Sequence, residues 1–273
     1  MGAPLFTAGI TDRGRTRKHN EDAFIADPEL GLAVVADGMG GHPAGDVASA
    51  LATTAVREHL SGRGGQPSSV PPRPGSPPAL GESLVAAVRA ADALVRSDAA
   101  QNDARAGMGS TVTALLVRPD EARMAIGHVG DSRAYLYVGG RLRQLTRDHT
   151  WVQEQVDART LPPAQAWSHP WGHVLTQALG VGEDIQPQLL EGEAWPGHVY
   201  LLCTDGLTSM LRNRDLECVL EEMIPKGLDS CARALVGGAK QRGGADNITV
   251  VLLGVGNAVA LPGDAERDAT QAA

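Results

Sequence analysis

Aromatic side chains are scarce: four tryptophans, three tyrosines and two phenylalanines make up 3% of 273 residues. A core must then rest on Val, Leu, Ala and Ile, and a hydrophobic content of 42% is enough to build one. Cysteine is scarcer. Cys203, Cys218 and Cys231 are odd in number and form no CxxC pair, which argues against a disulfide framework and a thiolate zinc site and for reduced thiols in a cytosol. No apolar run approaches the ~18 residues of a membrane span. The stretch MGAPLFTAGITDRGRTRKHNED lacks a signal-peptide core, and Phe6 stands where a myristoylation pattern needs Ser or Thr. These absences predict a cytoplasmic chain without a membrane partner. Positive charge is also short, 24 Lys and Arg against 32 Asp and Glu, for a formal net charge of −8. An acidic chain is a poor partner for nucleic acid and a better one for cations. No G-x-S-x-G elbow surrounds Ser132, and no Gly-rich loop with a following Lys precedes a helix, so neither a serine nucleophile nor a P-loop is supported.

What is present is organised as one unit. Apolar, β-branched runs predict strands over Leu32–Ala36, Thr111–Val117, Ala122–Val129, Arg133–Val138, Val199–Thr204 and Ile248–Val255. Gly139-Gly140 reads as a tight hairpin turn into Arg141–Arg143. Helical spacing joins Val47, Leu51, Ala55 and Leu60, and again Leu84, Val88, Ala91 and Val95, with later helices over Asp215–Met223 and Leu228–Val236. This order predicts an α+β fold with antiparallel sheets and helices outside. Six prolines in the 61–81 segment exclude a helix or inner strand there and mark a surface insertion. We expect a single domain over residues 1–256 and a flexible tail over 257–273.

The informative pattern is the placing of carboxylates. Asp37 ends an apolar run and precedes Gly38, Asp205 ends another before Gly206, Asp246 stands just before the last strand, Asp131 follows Val129-Gly130, and Glu21 and Asp22 lie side by side after a short N-terminal strand. One such carboxylate is explained as a turn or helix cap. Several that converge repel one another unless a cation compensates. Oxygen-only ligation suits Mg²⁺ or Mn²⁺ rather than zinc, and a following Gly lets the backbone turn so that its carbonyl joins the site.

These residues belong to a series: Arg17-Lys-His-Asn-Glu-Asp-Ala23, Val35-Ala-Asp-Gly-Met-Gly-Gly41, Gly107-Met-Gly-Ser-Thr111, Val129-Gly-Asp-Ser-Arg-Ala-Tyr135, Leu145-Thr-Arg-Asp-His149, Thr204-Asp-Gly-Leu207 and Gly244-Ala-Asp-Asn-Ile-Thr249. In this order they resemble the motifs of the bacterial metal-dependent serine/threonine protein phosphatases, the PPM or protein phosphatase 2C family. The resemblance implies a four-layer α-β-β-α sandwich, two antiparallel sheets flanked by helices, with two or three Mn²⁺ or Mg²⁺ ions per chain. It implies that Asp37 bridges two metals, that Gly38 offers its carbonyl, and that Asp205 and Asp246 complete the second position. Glu21 and Asp22 would hold metal-bound waters, Asp131 would hold a third metal shared with Asp205, and Arg17 would grip the substrate phosphate. The implied reaction is hydrolysis of phosphoserine and phosphothreonine in proteins by in-line attack of a metal-bridging hydroxide, opposing a bacterial serine/threonine kinase. The implied partners are phosphorylated proteins, acted on by a monomer. Two alternatives are a phosphatase dedicated to an anti-sigma-type regulator and a catalytically silent binding scaffold.

The sequence departs from the family in places. Animal relatives carry a histidine after the first Asp-Gly as general acid, and here that position is Met39. His42 or water would take its place. Ser209 stands where another Asp is common. His128, His149, His169, His173 and His198 lack zinc spacing and read as structural or surface residues. Residues 150–180 correspond to the mobile flap of bacterial members, with Trp151, Trp167 and Trp171 expected to pack it onto the body.

Overall fold

The computed structural model describes residues 2–39, 44–62, 79–167, 169–182 and 184–256. His42, most of the proline-rich 61–81 segment and the 257–273 tail lie outside the described residues. The strands are β1 (Leu5–Asp12), β2 (Asp22–Asp27), β3 (Leu32–Met39), β4 (Gly109–Ser110), β5 (Val112–Arg118), β6 (Arg123–Val129), β7 (Arg133–Val138), β8 (Arg141–Gln144), β9 (Gln188–Glu193), β10 (Val199–Cys203) and β11 (Ile248–Val255). The helices are α1 (Gly45–Leu60), α2 (Leu80–Gln101), α3 (Trp151–Asp157), α4 (Pro163–Ala166), α5 (Asp205–Thr208), α6 (Asn213–Met223) and α7 (Leu228–Gln241).

Two antiparallel sheets face each other, one ordered β1-β11-β10-β7-β8 and the other β2-β3-β5-β6-β9, with β4 pairing antiparallel with the end of β3. The strand period of two explains the layers. In β3, Leu32, Val34 and Ala36 pack on α1 and α2, while Ala33 and Val35 meet the other sheet. In β11, Ile248, Val250 and Leu252 pack on α6 and α7, while Val251, Leu253 and Val255 face inward. Both faces are covered, so these strands read as unbroken apolar runs rather than alternating ones. Three core clusters therefore separate four layers, the expected α-β-β-α sandwich.

Several boundaries differ from expectation, each for a visible reason. The buried apolar face of α1 is Ala48, Ala52, Ala55 and Val56; of the predicted stripe Ala55 is buried, while Val47, Leu51 and Leu60 are only partly covered. Small side chains face the sheet, so α1 lies close to β3. Helix α2 begins at Leu80, so the end of the 61–81 segment is helical, immediately past Pro77 and Pro78. Gly139 and Gly140 both have positive φ, 58° and 76°, as a two-residue hairpin turn requires. The 150–180 segment is not wholly irregular, since it contains α3, capped by the Thr150 hydroxyl, and α4. Among the described residues no helix is long and apolar enough to cross a membrane.

Candidate metal centre

A cleft of about 720 Å³ opens where the two sheets meet. It is lined by Asp37 and Gly38 of β3, Asp131 of the turn after β6, Asp205 at the start of α5, Asp246 just before β11, and Arg17 and Glu21 of the loop after β1. Seven of the eight predicted site residues thus come together from distant parts of the chain. Asp22 sits behind them and opens β2, directly across the ladder from Asp37. Two expectations about strand ends are corrected. Asp37 lies inside β3, because β4 pairs with Gly38 and Met39 and prolongs the strand. Asp205 does not end β10 but is the first residue of α5, after Thr204.

The glycines act differently from the sharp turns anticipated. Neither Gly38 nor Gly206 has a positive φ. A Cβ on Gly38 would stand 1.9 Å from the Gly45 carbonyl oxygen, and one on Gly206 would stand 1.9 Å from that of Asn247. Each Asp-Gly step therefore lets a second backbone approach the carboxylate-bearing one.

A lattice of polar groups fixes these backbones. The Asp37 N–H donates to Thr111 Oγ1 at 3.0 Å, and its carbonyl accepts from Thr111 N at 2.9 Å and Ser110 Oγ at 3.1 Å. Thr111 Oγ1 also lies 2.7 Å from Ser132 Oγ, which joins the Asp37 strand to the turn of Asp131. Asn247 is a second anchor that sequence reasoning missed. Its Oδ1 accepts from Glu21 N at 2.9 Å, and its Nδ2 donates to the carbonyls of Arg13 and His19 at 3.0 and 2.9 Å. It thereby shapes the loop that presents Arg17 and Glu21. The signal available was its place in Gly244-Ala-Asp-Asn-Ile-Thr249.

Asp22 is held by two hydroxyls, Thr204 Oγ1 at 2.8 Å and Thr249 Oγ1 at 2.6 Å, both donating to Oδ2. Its Oδ1 is buried without a partner, and so is Oδ1 of Asp205. Burial, opposed by the two hydroxyls and reinforced by the charges of Asp205 and Asp246, pushes the Asp22 carboxyl up to about 7. Burial and then the charges of Asp22, Asp205, Asp131 and Asp246 drive Asp37 well above the carboxylate range. Asp131 is raised by burial and by Asp205 and Asp148, and Asp205 by burial and by Asp246. Burial also raises Glu21, while Arg17 pulls it back. Five carboxyls are thus raised where burial and neighbouring negative charge, that of Asp246 included, disfavour ionisation.

This donor set fits hard divalent cations. It is all oxygen, two of its buried oxygens lack partners, and its charge awaits compensation. Among the described residues no three His, Cys, Asp or Glu side chains close round one point as a finished cation cage. Mg²⁺ and Mn²⁺ tolerate that, because such ions commonly take one or two carboxylates and keep several waters.

The remaining predicted residues have structural partners. Arg133 grips Asp148 with a fork of 2.9, 3.1 and 2.6 Å contacts, so the Gly-Asp-Ser-Arg turn is tied to Leu145-Thr-Arg-Asp-His149. His128 is fully buried and held by Thr113 and the Arg147 carbonyl, and burial depresses it to about 3, a neutral structural ring. His149 Nδ1 accepts from Gly130 N at 3.1 Å. His173 lines the cleft. Trp167 bonds to the body through the Thr208 carbonyl and Trp171 packs edge-on against Trp151, but both rings stay about half exposed, so the expected packing is only partial.

A two-sheet sandwich clad in helices, with an acidic oxygen-only centre between the sheets, defines the architecture of metal-dependent phosphatases. The comparisons agree. The family model described as protein phosphatase 2C matches residues 12–235, and the chain belongs to the protein phosphatase 2C family. It is 39% identical over 249 residues to the serine/threonine protein phosphatase PstP of Mycobacterium tuberculosis, covering 91% of this chain and 44% of PstP. The chain thus spans less than half of that relative. It is 33% identical over 264 residues to the serine/threonine phosphatase stp of Listeria monocytogenes, covering 96% of this chain and 95% of that one. The crystal structure of M. tuberculosis PstP superposes with a TM-score of 0.81 at 36% identity, covering 93% of this chain and 99% of that one. The PstP catalytic domain in complex with two manganese ions gives 0.78 at 35% identity, with the same coverage.

Proposed function

We propose that this chain is a divalent-cation-dependent protein serine/threonine phosphatase. The observation that carries the reading is the pair of orphaned buried oxygens, Asp22 Oδ1 and Asp205 Oδ1, among mutually repelling carboxylates beside an exposed arginine. Asp37, Asp205, Asp246 and the Gly38 carbonyl would hold two cations, and Asp131, with Asp205, a third. When bound, Mn²⁺ or Mg²⁺ supplies a counter-charge for the phosphoryl oxygens and acidifies water.

The chain's own groups do the rest. Arg17 reaches the cleft from a loop braced by Asn247 and offers a planar fork to two phosphate oxygens. Glu21 and Asp22 orient water by accepting hydrogen bonds from its O–H groups. Asp22 suits this because its Oδ2 is fixed by two threonine hydroxyls, which leaves Oδ1 to accept. Phosphate monoesters are very slow to hydrolyse unaided, so placing water, phosphate and counter-charge together is the main task.

The substrates on this reading are phosphorylated proteins, opposed to a serine/threonine kinase, and the setting is the cytoplasm. The PstP and stp relatives carry the name of serine/threonine phosphatases, which supports that class. No carboxylate of the set is missing, so nothing favours a silent scaffold. The test is Mn²⁺-dependent release of phosphate from a phosphothreonine peptide, abolished by chelator and by Asp37→Asn.

A further inference from the structure

The 150–180 segment forms one wall of the cleft. His173, Leu175, Thr176, Gln177 and Ala178 line it opposite the carboxylates. The ends of the segment are pinned by backbone bonds. Trp151 N donates to the Val174 carbonyl, Thr176 N to that of His149, and Leu179 N to that of Ser110. Gly180 N donates to the buried carboxylate of Asp92 at 2.8 Å. The stretch from 158 to 173 is different. Beneath it lies a second cavity of about 380 Å³, floored by Arg133 and Asp148 and meeting the catalytic cleft at Asp131 and Asp205. A wall standing over a hollow is not held by core packing.

Within the segment, His169 and Trp171 pack their rings against Trp151 at 5.5 and 4.8 Å. Beyond residues 150–180, among the described residues, the hydrogen bonds and ring contacts from 158–173 all pass through one side chain. Trp167 Nε1 donates to the Thr208 carbonyl at 3.2 Å, and the Arg212 guanidinium stacks 4.4 Å above its ring. Thr208 is the last residue of α5, whose first residue is Asp205, and Arg212 precedes α6. The tether therefore runs from the wall to the helix that carries a candidate cation ligand.

We propose that Trp167 is a positioning residue: a latch that sets where the 150–180 wall stands over the cleft, and so how well an extended phosphopeptide is bound. The inference rests on the phosphatase reading and names what that site selects. A small aryl phosphate occupies the carboxylate floor beside Arg17. A peptide also lies along His173 to Ala178, so it feels the wall. Trp167 is 51% exposed, so shortening it opens no core cavity and the chain keeps its fold.

The experiment compares wild type, Trp167→Ala, Trp167→Phe and Arg212→Gln with Mn²⁺ present. KM and kcat are measured for p-nitrophenyl phosphate and for a ten-residue phosphothreonine peptide. In parallel, limited proteolysis follows cleavage within 150–180. Trp167→Ala should raise the peptide KM about fivefold more than the aryl phosphate KM and speed cleavage in the segment. Trp167→Phe keeps a ring beneath Arg212 but loses the indole N–H, and should fall between. Equal changes for both substrates, carried in kcat, would mean a general structural role and overturn the proposal. So would an unchanged peptide KM with unchanged cleavage. Should Trp167→Ala not fold, Arg212→Gln decides by the same two readouts. Should wild type hydrolyse neither substrate, the phosphatase reading fails, and cleavage rates alone still judge the latch.

Discussion

Arg17 Nη2 donates to Asp246 Oδ2 at 2.7 Å, so the guanidinium assigned to the phosphate stands on a carboxylate assigned to a cation. The bond to Asp246, and then the charges of Asp246, Asp37 and Glu21, hold Arg17 above its usual pKa. A cation and Arg17 would thus compete for one oxygen. Arg17→Ala should raise the KM for p-nitrophenyl phosphate about tenfold, the value of one charged two-pronged contact at a half-exposed site. Calorimetric titration should also show Mn²⁺ bound at least as tightly as in wild type. Unchanged KM and kcat would reduce Arg17 to a surface charge, and weaker Mn²⁺ binding would contradict the competition.

Asn247→Ala removes three hydrogen bonds at once and leaves Glu21 N and two carbonyls without their partner. Urea unfolding should show a loss of about 2–4 kcal/mol. Turnover should fall as well, because the loop bearing Arg17 and Glu21 loses its brace. Wild-type stability together with wild-type kcat would show that the loop holds itself.

Asp131 comes from the turn after β6 and lines both cavities, apart from the strand that carries Asp37. Asp131→Ala should leave two cations bound and still lower kcat more than KM. Cation stoichiometry by calorimetry, read with steady-state kinetics, checks this. Normal kcat with three cations bound would leave Asp131 a structural role only.

The crowded carboxylates also predict a pH dependence. Burial, first, and neighbouring charge hold Asp22 near 7 in the folded chain against 3.8 for a free side chain, and Asp37, Asp131 and Asp205 are raised too. The folded state therefore binds more protons than the unfolded one between pH ~4 and ~7, and stability falls as pH rises through that window. In chelator, melting temperature should drop between pH 5 and pH 8, by the equivalent of a few kcal/mol. Added Mn²⁺ should flatten the dependence, because a cation replaces the protons. A melting temperature that rises with pH in chelator would mean the carboxylates do not repel.

Much of this was legible because burial on both faces leaves a plain signature. Strands β3, β5, β10 and β11 are continuous apolar runs, and the carboxylates stand at or near their ends within recognisable motifs. What escaped was what depends on a partner far along the chain. Asp22-Ala-Phe-Ile-Ala-Asp27 is an edge strand with an acid at each end, and only pairing with β3 makes it one. Gln188–Glu193 is half exposed along its length, so its apolar content is low. The hydroxyls of Thr204 and Thr249 meet Asp22 across 182 and 227 residues, a relationship with no local pattern. The Asp-Gly steps were found, but their reason was not, since close approach to Gly45 and Asn247 exists only once the sheets have met.

The most direct test of the account is p-nitrophenyl phosphate hydrolysis by one preparation, first in chelator and then as Mn²⁺ is titrated in, with Asp205→Asn alongside. The account predicts no turnover in chelator, a rate that climbs and saturates with Mn²⁺, and almost none from the folded Asp205→Asn variant at saturating Mn²⁺. A full rate in chelator, or a wild-type rate from Asp205→Asn, would contradict it.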